Sequence, residues 1–293
     1  MAEYEYHLPV MQEEILRSLI SSEQGTYVDC TLGGGGHAEI LLKGHPGISL
    51  VGIDCDENAI MHCKNKLDTY GNRIRLAREN YSEINAVFAS LKITAVDGFL
   101  LDLGISSRQI DDKERGFSFH SASLDMRMDG RSKVTAADIL NSAGRERLSE
   151  IFFEFGEERM ADAISARIIE ERKNSRIDSG PQLSQLVSKV IRRYGKINPA
   201  TKIFQALRIA VNNELENLSV FLNAFPSLLK PGGRIAVLTY HSLEDRIVKR
   251  KFKELEGHGL IRLMNKKVLR PSFMETKINP RSRSAKLRTA EKL

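Results

Sequence analysis

The sequence predicts an α/β protein: an open, mostly parallel, Rossmann-like sheet carrying an inserted all-helical domain. Three observations lead there. Short apolar runs alternate with helix-period segments through the first hundred residues, that rhythm gives way to about ninety residues of polar, helix-spaced sequence, and it then resumes before the C-terminus. At 293 residues, with 41% apolar and 28% charged residues, the chain has room for one substantial α/β domain and a smaller second one.

Thr26 to Thr31 reads as strand one, running into a glycine turn at Gly33 to Gly36 and a helix near His37 to Lys43. Leu50 to Asp54 is strand two, Glu57 to Leu67 a helix and Ile74 to Ala77 strand three. Val96 to Leu103 is strand four, whose nearly continuous apolar run suits a strand covered on both faces. The insert is expected over 109–198, between core segments 1–108 and 199–293: Leu148, Ile151, Phe152 and Phe155 recur at helix spacing, as do Leu183, Leu186, Val187, Val190 and Ile191 after Pro181. A long helix from Thr201 to Ala224 restarts the α/β pattern. Pro231-Gly232-Gly233 is read as a turn into strand five, Arg234 to Tyr240, followed by a helix from Leu243 to Leu255 and a closing hairpin around Leu260 to Leu269.

Several classes are excluded early. Apolar runs such as Ile235 to Leu238 are far too short for a membrane span, and MAEYEYHLPVMQEE lacks the basic-then-apolar layout of a signal peptide, so a cytoplasmic protein with no membrane partner is expected. Cys30, Cys55 and Cys63 form no CxxC pair or zinc spacing, so neither a disulfide framework nor a metal is expected. The formal charge of +6 is concentrated at one end: Ile261 to Leu293 holds ten Lys or Arg against two acids, which leaves the rest of the chain slightly acidic. Such a tail is either a solvated end or a nucleic-acid contact, and the second reading makes Lys277 to Leu293 dispensable for cofactor binding.

Strand one ends near Asp29 and runs into Gly33-Gly34-Gly35-Gly36-His37-Ala38, so a flexible backbone meets a helix start at the carboxyl edge of the sheet. Glycine there permits a tight turn and close approach of an adenosyl ligand. Asp54, ending strand two about twenty residues later, is positioned for ribose hydroxyls. The alternative is that it caps the next helix, a role Asp56 fills equally well. Gly33, Gly35 and Ala38 also satisfy the dinucleotide pattern G-x-G-x-x-A, so an NAD-dependent oxidoreductase stays open on the loop alone. Asp29, able to reach a ligand's amino group, and Asp102 after strand four, a second acid at the same edge, favour a sulfonium donor and methyl transfer.

On the substrate side, both strand ends lack the cysteine nucleophile that attack on pyrimidine carbon 5 requires, and the three cysteines read as packing residues. A nitrogen or oxygen acceptor is favoured, with Asp102 receiving a hydrogen bond from the acceptor amine. Phe117, Phe119 or Tyr240 is a candidate to stack on a flipped base, against the alternative that the two Phe residues fill a core. Tyr240-His241-Ser242-Leu243-Glu244-Asp245-Arg246 lacks the G-x-S-x-G elbow of a hydrolase. Ser242 is expected as a helix cap and Asp245 as a partner of Arg246, while His241 is a candidate to touch the base.

Nine ordered motifs then resemble the RsmH (MraW) family of 16S rRNA cytosine-N4 methyltransferases: His7 to Val10, Leu32 to His37, Asp102 to Ser107, Arg115 to Phe119, Leu124 to Asp129, Phe155 to Arg159, Ala200 to Ile209, His241 to Lys249 and Asn279 to Ser284. The resemblance spans nearly the whole chain. It implies a class I methyltransferase sheet with an inserted helical domain that recognises substrate. It implies S-adenosyl-L-methionine as cofactor, contacted by Gly35, Gly36, His37, Asp54, Tyr81, Asp102 and Gln109; the residues themselves make Asp102 and His241 the catalytic candidates. The implied partner is 16S rRNA, within the small ribosomal subunit, gripped by the insert and the basic tail; a homodimer is compatible with it. Another nucleic-acid or protein amine is the alternative acceptor. Two departures stand out, Thr239-Tyr240 where the family pattern has Ser-Phe and Ala38 where it has Ser. The Asp/Asn-Pro-Pro-aromatic element of many amino-methyltransferases is replaced by Asp102-Leu103-Gly104-Ile105.

Overall fold

The computed structural model describes residues 9–191 and 198–293, so His7 and Leu8 of the first motif lie outside the described residues. In chain order the elements are α1 (Gln12–Leu19), β1 (Thr26–Asp29), α2 (Gly36–Gly44), β2 (Ser49–Ile53), α3 (Glu57–Lys66), β3 (Ile74–Ala77), α4 (Ile84–Leu91), β4 (Val96–Asp102), α5 (Ser107–Asp111), α6 (Ala136–Ser142), α7 (Arg145–Glu154), α8 (Ala161–Glu171), α9 (Gly180–Val190), α10 (Thr201–Asn212), α11 (Glu214–Leu228), β5 (Leu229–Thr239), α12 (Ser242–Gly257), β6 (Ile261–Leu263), α13 (Phe273–Ile278) and β7 (Lys286–Lys292). They group into two compact units: residues through Gly104 together with Leu215–Leu293, and Ile105–Glu214.

The first unit is one seven-stranded sheet in the order β3-β2-β1-β4-β5-β7-β6. β1 to β5 pair in parallel and β7 runs antiparallel to both β5 and β6, the open, mostly parallel sheet expected from the sequence. Alternation of side chains explains why β4 is apolar throughout: Phe99 and Leu101 enter the core beneath α4, α11 and α12, while Leu100 enters the core shared with α1 and α2. Phe99, Phe221, Phe225 and Phe252 continue that first core as an aromatic chain, with Phe99 edge to face on Phe221 at 5.4 Å. Truncating Phe99 or Phe221 to Ala is expected to cost about 3–5 kcal/mol.

Three expectations are corrected here. The helix expected from Thr201 to Ala224 is two helices, because Asn213 takes the left-handed conformation (φ 50°) and ends α10. The Pro231-Gly232-Gly233 segment is an irregularity within β5, with Leu229 opposite Val96 and Arg234 opposite Gly98. The hairpin around Leu260 to Leu269 is absent among the described residues: Ile261–Leu263 pairs with β7, and Leu269 bridges to Leu287. The basic tail is therefore no free end. Its last residues form β7, inside the sheet, with Leu287, Thr289 and Ala290 buried.

The second unit is helical. Leu148, Ile151 and Phe152 of α7, Ile164 and Ile168 of α8, Leu183, Leu186 and Val187 of α9, and Ile203, Phe204 and Leu207 of α10 form its core. Phe117 is buried in that core and Phe119 stands edge to face on Phe204 at 4.8 Å, so both Phe residues of the Arg115 to Phe119 motif serve packing. The Leu124 to Asp129 motif is held by an Asp125–Arg127 ion pair at 2.7 Å and by Asn212, which donates to the Met126 carbonyl and accepts from the Met128 amide. No described helix is long and apolar enough to cross a membrane.

Candidate active site

β1, β2 and β4 of the sheet unit each end in or just before an acid, and the parallel pairing brings these ends to one edge. Asp29 is 1% exposed. Its Oδ1 accepts from the Thr31 amide at 3.2 Å, and Oδ2 has no hydrogen-bond partner among the described residues. Burial lifts its pKa to about 7, against the pull of His37 and the Thr31 amide, with Asp102 and Asp54 adding to the rise.

The turn after β1 is shaped by packing. Gly35 has φ 71° and caps α2, and a Cβ placed there would stand 2.9 Å from Cys63 Sγ. A Cβ on Gly36 would stand 2.7 Å from Pro9 Cγ. The glycines expected to admit a ligand thus also admit α3 and the chain before α1. Cys63 donates to the Gly33 carbonyl at 3.3 Å, and burial pushes its thiol up to about 12, which suits a packing residue.

Asp54 ties this turn to β2. Its Oδ2 accepts from the Gly33 amide and its Oδ1 from the Asp56 amide, both at 2.8 Å. The helix-capping role belongs to Asp56, which accepts from Asn58 N–H at 3.0 Å. A carboxylate held by two amides keeps its orientation.

Asp102 is held differently. Tyr240 donates its hydroxyl to Oδ1 at 2.7 Å, and the Asp102 amide donates to Thr31 Oγ1 at 2.6 Å. His37, buried at the start of α2, places Nδ1 3.6 Å from Asp102 Oδ2 and Nε2 3.0 Å from the Val10 carbonyl. Because a carbonyl can only accept, the Val10 contact is served by the tautomer with Nε2–H, which turns Nδ1 toward Asp102. Burial raises the pKa of Asp102, opposed by His37 and by the Tyr240 bond; burial, then Asp102, drives the Tyr240 phenol well above its ordinary value.

Tyr81 begins the short 3-10 turn beyond β3 and lies edge to face on Phe221 at 5.9 Å. Gln109 belongs to the second unit, where it forms a reciprocal capping box with Ser106 on α5. The helix cap expected at Ser242 is His241 instead: its Nδ1 accepts from the Glu244 amide at 3.4 Å, and its Nε2 stands 3.0 Å from Glu244 Oε1. Asp245, expected as a partner of Arg246, pairs with Arg288 at 2.7 Å and Lys286 at 3.1 Å, both on β7. The sequence reading missed the Tyr240–Asp102 bond and the bridging role of Thr31. Both depend on the register that sets Asp102 opposite Leu238, information carried by strand pairing alone.

Residues 4–293 match the model of the MraW methylase family. The chain is 45% identical to ribosomal RNA small subunit methyltransferase H of Endomicrobium trichonymphae over 98% of its own length and 99% of that protein. It is 44% identical to the protein of that name from Coprothermobacter proteolyticus, over 100% of this chain and 98% of the other. A third, from Nostoc sp., is 43% identical over 98% of this chain and 92% of its own. With the glycine turn, Asp54 and the Asp102 edge all inside a match of that extent, the chain belongs to the MraW methylase family.

Proposed function

We propose that this protein uses S-adenosyl-L-methionine to methylate the N4 amine of one cytidine in the decoding region of 16S rRNA, on the small ribosomal subunit in the cytoplasm. The observation that carries the reading is the trio of acids at one sheet edge, with Asp54 oriented by backbone amides and Asp29 presenting an orphaned, buried Oδ2. These fit the cofactor. Asp54 offers acceptors to ribose hydroxyls, Asp29 an acceptor to an ammonium or amide donor, and Gly35, Gly36, His37 and Tyr81 complete the cradle. When bound, the cofactor supplies an electrophilic methyl group on a sulfonium.

What remains for the chain's own residues is alignment and one proton. The cytosine amine is a poor nucleophile because its lone pair is delocalised into the ring. Asp102, oriented by Tyr240 and Thr31, accepts a hydrogen bond from that amine and so raises its electron density. The proton released on methylation has a nearby station in the Asp102–His37 pair. The helical unit, expected over 109–198, recognises the rRNA.

The experiment is transfer of labelled methyl to small subunits prepared without the modification, followed by digestion and nucleoside identification. N4-methylcytidine in a single decoding-region fragment is the expected result. Tight cofactor binding with no transfer to subunits or their free RNA would send the search to another amine.

A further inference from the structure

The segment between β6 and β7 is exposed in an uncommon way. Phe273, Met274 and Ile278, all on the six residues of α13, are 72%, 63% and 68% exposed. Cations surround them: Lys277 Nζ lies 4.7 Å from the centre of the Phe273 ring, and Arg270, Arg281 and Arg283 are exposed along the same stretch. The acid of this stretch, Glu275, is engaged elsewhere, accepting from the Met11 amide at 2.7 Å. Buried Ser282 and Ala285 anchor the 3-10 turn Pro280–Ser284 that follows, so the exposed side chains stand on a fixed backbone.

Position gives the patch its meaning. The turn leads directly into β7, whose first residue, Lys286, is opposite Thr239 at the carboxyl end of β5. Tyr240, the next residue, holds Asp102. The patch therefore borders the edge that carries the acids. An apolar surface by itself suits many protein partners, whereas one interleaved with cations suits a polyanion with flat apolar faces, which is unpaired nucleic acid. A base presented for methylation has to leave its stack, so the strand beside it is offered single. Resting on the rRNA reading above, we propose that α13 and the turn after it form a platform for the unpaired rRNA strand next to the target nucleotide. A base stacks on Phe273, and phosphates meet Lys277 and Arg283.

The test uses the full-length protein, small subunits lacking the modification, and a labelled single-stranded oligoribonucleotide. Phe273→Ala is expected to raise KM for subunits and Kd for the oligonucleotide about tenfold, the effect of one lost stacking contact. Melting temperature and S-adenosylmethionine affinity stay unchanged. Phe273→Trp restores binding and Phe273→Leu does not, which separates stacking from mere apolar cover. Replacing Lys277 and Arg283 by Ala is expected to flatten the salt dependence of oligonucleotide binding by roughly 0.7 in slope per lost phosphate contact. Wild-type KM and Kd in Phe273→Ala overturn the platform, as does full rescue by Leu. A shift from dimer to monomer in light scattering with RNA binding intact also overturns it, in favour of a contact between copies. If the unmodified protein itself neither binds RNA nor methylates subunits, the parent reading falls as well; if it does both and Phe273→Ala matches it, the platform alone falls.

Discussion

The carboxyl edge of the sheet holds its acids in two ways. At β1 and β2 the work is done by backbone: Asp54 is clamped by the amides of Gly33 and Asp56, and Asp29 by the amide of Thr31. At β4 and β5 it is done by side chains: Asp102 depends on the Tyr240 hydroxyl and faces the His37 ring. Backbone clamps suit a ligand that must sit in one place, because amides cannot swing away. Side-chain clamps suit a group whose charge must change, because a phenol and an imidazole adjust to a proton arriving or leaving. On the function proposed above, one half of the edge serves binding and the other chemistry.

The largest way to break this comparison is to remove the support of one half only. Deleting Lys286 to Leu293 takes out β7, the strand between β5 and β6, and with it the partners of Asp245. Loss of cooperative unfolding in a circular dichroism melt is expected, rather than the selective loss of RNA binding that a free basic tail would give. A truncated protein that melts like the full chain and keeps cofactor affinity would show that β7 is dispensable.

The next largest effect lies in the binding half. Asp54→Ala removes a carboxylate that orients the glycine turn and is assigned to the ribose, so cofactor affinity should fall by about 1.5–3 kcal/mol, the worth of a hydrogen bond to a charged group. Calorimetry decides it. Asp54→Asn should recover part of the loss, since an amide oxygen still accepts from one amide donor. Unchanged affinity in both variants would move the ribose site elsewhere.

How much of this was legible in the sequence follows from the same contrast. The places of Asp54 and the glycine turn in the fold could be read because their geometry is local: a strand end, a turn and a helix start lie within a few residues, and each has its own pattern. The sheet order beyond β5 was not legible. β7 inserts between β5 and β6 by pairing residues far apart in sequence, and a run such as Lys286 to Lys292, with four cations or acids in seven residues, looks like a solvated end until Leu287, Thr289 and Ala290 are seen to alternate inward. The cap of α12 was placed one residue late for a different reason. Sequence offered Ser242 as the better cap, yet the chain turns one residue earlier, and an imidazole nitrogen accepts the amide as well as a hydroxyl does. Phe117 and Phe119 were ambiguous because an aromatic pair near a catalytic motif serves a core or a base equally well until its neighbours are known.

In the chemical half, Tyr240→Phe removes one hydrogen bond and almost no volume. Melting temperature and cofactor affinity should stay as they are while kcat falls about tenfold, the cost of one charge-assisted bond. The pH profile sharpens the test. Burial raises the Asp102 pKa and the Tyr240 hydroxyl opposes the rise, so losing the hydroxyl lifts the pKa further. In the proposed reaction Asp102 is the stronger acceptor for the amine when ionised. Activity lost on acidification should therefore begin to fall at a higher pH in Tyr240→Phe than in the unaltered protein. An unshifted acid limb with lowered kcat would mean that the hydroxyl positions something other than Asp102.

The last effect sits in the binding half and concerns stability. Asp29 has a folded pKa of about 7 against 3.8 when unfolded, so between those values the folded chain holds a proton that the unfolded chain has released. That difference makes the folded state gain stability as pH falls from about 7 towards 4, by at most about 1.4 kcal/mol per pH unit from this one group. The gain is complete below the unfolded value and is lost as pH rises through the folded one. Asp29→Asn keeps an acceptor for the Thr31 amide but cannot titrate, so its urea midpoint should vary less between pH 5.5 and 7.5 than that of the unaltered protein. A cationic ligand donor near Oδ2 favours the ionised form, so saturating cofactor should reduce the pH dependence of the unaltered protein and leave the variant's unchanged. If cofactor alters both proteins alike, Asp29 is a buried strand-end acid without a ligand, and the binding half of the edge reduces to Asp54 and the glycine turn.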